Sequence, residues 1–133
     1  YIFWTHMIGK GFSISLNGKQ RNALAELFNE FRIFQPEVDA MAVADLFYCR
    51  LQKPLIVLNA RLLCYIMDYM SQQLMIANIW QTIAEENRCF VSVKGKPITR
   101  NILSSAKYCA VKFDTIQNKD IIRQYIDIVK GLH

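Results

Sequence analysis

The chain has 133 residues, of which 53% are hydrophobic and 20% charged, with five Gly and three Pro; this is apolar material for one core and excludes a disordered or low-complexity chain. The formal net charge is +5. All of it lies between Asn87 and Phe113, where six basic residues (Arg88, Lys94, Lys96, Arg100, Lys107, Lys112) stand without an acid, because the other 10 basic and 11 acidic residues sum to −1.

Near the N-terminus, Phe12, Ile14 and Leu16 alternate with Ser13 and Ser15, a two-residue period that predicts a short half-buried strand, and Asn17-Gly18 then turns the chain. From Lys19 to Phe34 the spacing of Leu24, Leu27, Phe28, Phe31 and Phe34 predicts an amphipathic helix with Arg21, Asn22, Glu26, Asn29, Glu30 and Arg32 mainly outward. Pro36 suits the first turn of a second helix, in which Ala40, Val43, Ala44, Phe47 and Leu51 share an arc and which Lys53-Pro54 ends. Asp45 is an acid in apolar surroundings there, read as lying on the exposed seam with Gln52.

Leu55 to Leu58 reads as a brief strand or turn, and Asn59 as the N-cap of a long helical stretch. The stripe Leu62, Leu63, Ile66, Met67, Met70 falls out of phase with Ile76, Ile79, Trp80, Ile83, so the stretch divides near Ser71 into helices over 60–70 and 73–87. Phe90 to Val93 favours extended chain and Lys94-Gly95-Lys96-Pro97 turns it, which predicts a small hairpin. Thr99 caps a following helix with Ile102, Leu103, Ala106, Cys109 and Ala110 inward and Arg100, Ser104 and Lys107 outward. A last helix, capped by Asn118, runs to Lys130 with Ile122, Tyr125, Ile126 and Val129 inward. The expected architecture is therefore mainly α, a compact bundle of about five or six helices with one small β-hairpin, with an α+β arrangement left open. It is expected to be a single domain over 1–133, or a fragment of a longer protein.

Several chemistries find no support. A zinc site requires closely spaced Cys and His, yet the two histidines are His6 and His133, and Cys49, Cys64, Cys89 and Cys109 stand far apart in the chain. No metal, cofactor or catalytic residue is expected, and the cysteines read as reduced thiols of a cytoplasmic protein. The Gly-Lys pairs lack the upstream glycine of a phosphate loop, and Glu85 and Glu86, being adjacent, diverge on a helix. The longest uncharged stretch, Tyr69 to Ala84, is too short and too polar to span a bilayer, so no membrane partner is expected.

What remains is binding. Lys94 and Lys96 on a Gly-containing turn reach phosphates, the N–H groups opening the next helix attract anions, and Arg100 and Lys107 extend the positive strip. The sequence thus points to a non-enzymatic nucleic-acid-binding or regulatory domain, contacting phosphates through Arg88, Lys94, Lys96, Arg100, Ser104, Lys107 and Lys112. The alternative is a helix-mediated protein-interaction or homo-oligomerisation module, for which the many large apolar side chains, Tyr1 to Trp4 included, supply the material.

Overall fold

Asn17 does more than turn the chain: its side-chain oxygen accepts the Gln20 N–H at 2.8 Å, and the Gln20 side chain accepts the Asn17 N–H at 3.0 Å. This reciprocal box satisfies two otherwise orphaned donors and starts helix α1, Gly18–Glu30. The same local chemistry starts α2 (Ala40–Phe47), where the Asp39 carboxylate accepts the Ala42 N–H at 2.8 Å, and α3 (Ala60–Gln72), where Asn59 accepts the Leu62 N–H at 3.0 Å. Helices α4 (Trp80–Glu86), α5 (Arg100–Lys112) and α6 (Lys119–Lys130) complete six helices among the described residues. This computed structural model describes residues 12, 15–112 and 116–133.

Short strands β1 (Phe34–Gln35), β2 (Leu55–Val57) and β3 (Phe90–Val91) form one mixed sheet in the order β1-β2-β3. β1 runs antiparallel to β2, Phe34 facing Val57, while β3 is parallel to β2, Leu55 facing Phe90. A parallel pair needs a long crossover, and α3 and α4 supply it. Three apolar rings tie the sheet to α1: Phe28 meets Phe34 edge-on at 5.2 Å, and Phe34 stacks on Phe90 at 6.0 Å. α3 packs mainly against α5 and more lightly against α6, and α1 packs on α2 and α6. Trp80, Phe12, Phe28, Phe47 and Phe90 are fully buried in one continuous cluster with Leu24, Leu63, Ile66 and Met67.

The mainly helical class is as expected, and several boundaries differ for identifiable reasons. Four helices end in the same arrangement, in which the residue two beyond the cap-adjacent turn bonds back across it. After α1, Arg32 N–H donates to Asn29 and Ile33 N–H to Phe28; after α2, Cys49 to Leu46 and Arg50 to Asp45; after α3, Leu74 to Ser71 and Met75 to Met70; after α4, Arg88 to Glu85 and Cys89 to Ala84. Arg32, Cys49, Leu74 and Arg88 take up the left-handed conformation that this Schellman closure demands, with φ of 53, 58, 61 and 51°. None is glycine, so the stops carry no sequence signal, and α1 and α2 end earlier than the apolar spacing suggests.

Pro36 follows a cis peptide in the loop after β1, and α2 begins only at Ala40. The break after α3 is longer than expected, running from Gln73 to Ile79. Ile102 is 47% exposed rather than inward. Asn118 takes a left-handed φ of 59° and makes no side-chain cap to α6. Phe12 and Leu16 are buried, but the rest of the proposed strand over 12–16, like Tyr1 to Trp4 and His6, lies partly or wholly outside the described residues. Among the described residues no helix is long and apolar enough to cross a membrane.

Candidate nucleic-acid interface

The segment from Arg88 to Arg100 leaves the core and returns to it within a few residues. Its base is fixed by Phe90 and Ile98, both buried, with the Ile98 N–H donating to the Phe90 carbonyl at 3.0 Å. Beyond them Val91 pairs with Pro97 in a single antiparallel bridge, and the Ser92 N–H donates to the Lys96 carbonyl at 2.8 Å. The tip then closes on Ser92: its carbonyl accepts the Gly95 N–H at 2.8 Å, and its hydroxyl accepts the Lys94 and Lys96 N–H groups at 3.3 and 3.2 Å. Gly95 sits at φ +81°, a conformation costly for any residue with a Cβ. The Lys-Gly-Lys order thus follows from geometry: the middle position needs glycine, and both flanking side chains are exposed on a tip whose Lys94, Gly95 and Lys96 N–H groups all bond to Ser92.

The two ends of the hairpin meet at one acid. Arg88 N–H donates to the Glu85 carbonyl at 3.1 Å, and the Arg100 N–H donates to Glu85 Oε1 at 3.2 Å. Arg88, Lys94, Lys96 and Arg100 are all exposed, and none forms an ion pair among the described residues. Their charges therefore occupy one excursion about 10 Å long from base to tip. Two of the first N–H groups of α5, expected to attract an anion, already have partners: Glu85 takes that of Arg100, and Thr99 Oγ1 that of Ile102 at 3.4 Å.

Further along α5 the expected strip changes character. Ser104 donates its hydroxyl to Gln81 Oε1 of α4 at 2.6 Å. Lys107 Nζ lies 3.1 Å from Asp68 Oδ1 of α3, whose other oxygen accepts a hydrogen bond from Gln72 at 2.8 Å. Lys112 Nζ donates to the Tyr108 hydroxyl at 2.6 Å and lies over that ring at 5.1 Å. Arg88, Lys94, Lys96 and Arg100 thus form one group on the hairpin, while Ser104, Lys107 and Lys112 are engaged along the helix. Sequence periodicity places Lys107 outward on α5, whereas it is half-buried and turned to Asp68, of which the sequence contains no sign because it arrives from another helix.

Beside this strip a shallow cavity of about 360 Å³ is lined by Gln81, Ser104, Lys107, Tyr108 and Val111. A smaller one of about 170 Å³ lies between α3, α5 and α6, with the Arg123 guanidinium 5.8 and 5.9 Å from the Tyr65 and Tyr69 ring centres. Burial pushes the Cys64 thiol up from 9.0 to about 12, the Asp68 carboxylate adding to the rise and Lys107 opposing it; the thiol donates to the Leu103 carbonyl at 3.4 Å. All four cysteines are free thiols. The chain matches no family model, and no significant similarity to a curated protein or to a solved structure was found.

Proposed function

We propose that this chain is a non-enzymatic nucleic-acid-binding or regulatory domain, whose hairpin over 88–100 attracts phosphates. The observation that carries the reading is the group of four exposed cations, Arg88, Lys94, Lys96 and Arg100, on one short excursion without ion pairs among the described residues. Phosphate contacts of this kind release counterions and are salt-sensitive, and they carry little sequence information. Lys94 and Lys96 at the tip make the first contacts, Arg88 and Arg100 flank the base, and Glu85 keeps the arms together through the Arg100 N–H. Ser104, Lys107 and Lys112 contribute only where a bound strand displaces their present partners.

Fluorescence anisotropy with a labelled DNA duplex over a salt series tests this. Each phosphate contact adds about 0.9 to the magnitude of the slope of log affinity against log salt, so four contacts predict a slope near −3.6. Changing Lys94 and Lys96 together to Ala reduces its magnitude by roughly 2. Binding that ignores both salt and these substitutions rules the proposal out.

A second reading has its own support. Tyr108 and Val111 are 55% and 64% exposed at the rim of the 360 Å³ cavity, which suits a helix-mediated protein interaction or homodimer better than a phosphate strip. Under it, light scattering shows an oligomer that Val111→Glu dissolves, and DNA affinity stays negligible.

A further inference from the structure

The cavity of about 360 Å³ beside α5 is built from two kinds of side chain. Tyr108 and Val111, both exposed, give it apolar surface. Gln81 of α4 and Ser104 give it a polar edge. The Ser104 hydroxyl donates to Gln81 Oε1 at 2.6 Å, which fixes the amide and leaves its Nε2 donors without a partner among the described residues. Lys112 lies over one face of the Tyr108 ring at 5.1 Å and does not line the cavity, so the ring turns its other side to it.

An aromatic ring beside a fixed amide offers what an unpaired nucleobase uses: a face to stack on, and a donor for a carbonyl or ring nitrogen at its edge. The volume is at the lower end of ligand-sized pockets, and too small to seat a helix, which is about 10 Å across with its side chains. Its position fits the same ligand. Arg100, Ser104 and Tyr108 follow at intervals of four on α5 and share a face, with Tyr108 about 12 Å along the axis from Arg100. Arg100 is one of the exposed cations of the hairpin, so a strand whose phosphates lie there reaches the cavity within a few nucleotides.

We propose that this cavity takes one unpaired base of a single-stranded nucleic acid, stacked on Tyr108 and hydrogen-bonded by Gln81, while the hairpin holds the neighbouring phosphates. The inference rests on the phosphate-binding reading of the hairpin and narrows its preferred ligand to a strand with at least one base free of pairing. In a duplex the base faces are stacked and the edges paired, so duplex DNA meets the cations alone.

The test is fluorescence anisotropy over a salt series with one short labelled sequence in four forms: single-stranded DNA, single-stranded RNA, duplex DNA, and a strand of equal phosphate number with abasic sugars. Either single strand is expected to bind more tightly than the duplex, the tighter of the two naming the sugar accepted, and the abasic strand loses that advantage. Stacking of one base accounts for roughly 5- to 150-fold in affinity, so Tyr108→Ala weakens single-strand binding within that range and leaves its salt slope unchanged. Tyr108→Phe keeps the ring and binds like the parent chain. Changing Lys94 and Lys96 together to Ala instead reduces the slope for every form. Salt-sensitive binding that needs Lys94 and Lys96 but is equal for abasic and native strands, or is indifferent to Tyr108→Ala, overturns this inference and leaves the phosphate reading standing. Absence of salt-sensitive binding to all four forms removes both. A homodimer dissolved by Val111→Glu, with single-strand affinity untouched by Tyr108→Ala, assigns the cavity to a second copy of the chain and overturns the inference as well.

Discussion

Asp68 on α3 holds Lys107 of α5 at 3.1 Å, across the most extensive helix contact in the fold. The carboxylate side chain is 15% exposed and the lysine 42%, so solvent screens the pair and its contribution to stability is modest, about 0.5 kcal/mol. Its larger effect is on charge: Lys107 is neutralised locally and withdrawn from the cationic strip.

Replacing Asp68 with Asn releases that lysine while keeping an acceptor for Gln72. The expected outcome is DNA binding whose salt slope steepens by about 1, with a loss of stability of roughly 0.5–1 kcal/mol in urea titration. Lys107→Ala, by contrast, leaves DNA affinity nearly unchanged. If Lys107→Ala weakens binding as much as Lys94→Ala, the pair opens in the complex and the strip extends along the helix.

Asn29 on α1 bonds both backbone groups of Val38, donating to its carbonyl at 2.8 Å and accepting its N–H at 2.9 Å. One side chain thereby supplies the loop before α2 with the pairing a strand would give. Asn29→Ala leaves two backbone groups of a buried residue unpaired, and an unsatisfied buried group costs about 1–3 kcal/mol. Urea denaturation of Asn29→Ala should show a loss in that range, while Asn22→Ala, an exposed position on the same helix, shows much less.

Leu74 is 90% exposed and takes up φ +61° at the end of α3. Its side chain contributes little burial, and its backbone conformation disfavours any residue with a Cβ by about 1–2 kcal/mol. Leu74→Gly is expected to raise stability by up to about 1 kcal/mol, the remainder being offset by the greater freedom of glycine in the unfolded chain. A destabilised Leu74→Gly variant would mean that the exposed leucine makes contacts that matter.

Alkaline pH should destabilise the fold through Cys64. Its pKa is 9.0 unfolded and about 12 folded, so the stability it contributes is complete below about pH 9 and is lost progressively as pH rises towards 12, where the unfolded chain ionises first. The loss reaches roughly 1 kcal/mol one unit above the unfolded value. Tyr69 and Tyr125 act in the same sense, raised by burial and by their hydrogen bonds to Asp127 and Glu26. Urea titrations over this range should show a shallower pH dependence for Cys64→Ala than for the parent chain.

Elements with local causes are legible in the chain alone. Asn59 is read as a cap because a cap bond spans three residues, the stripes Leu24-Leu27-Phe28 and Ile122-Ile126-Val129 because a helix repeats every 3.6 residues, and the turn at Gly95 because few residues tolerate its φ. The left-handed stops at Arg32, Cys49, Leu74 and Arg88 escaped that reading, since the tertiary packing imposes them on residues with no preference for them. Packing of distant elements set the rest: Asp68 meets Lys107, and Glu85 gathers both ends of the hairpin. Such pairings join elements distant in the chain, and their geometry depends on how α3, α4 and the small sheet bury their apolar faces together, which no local pattern encodes.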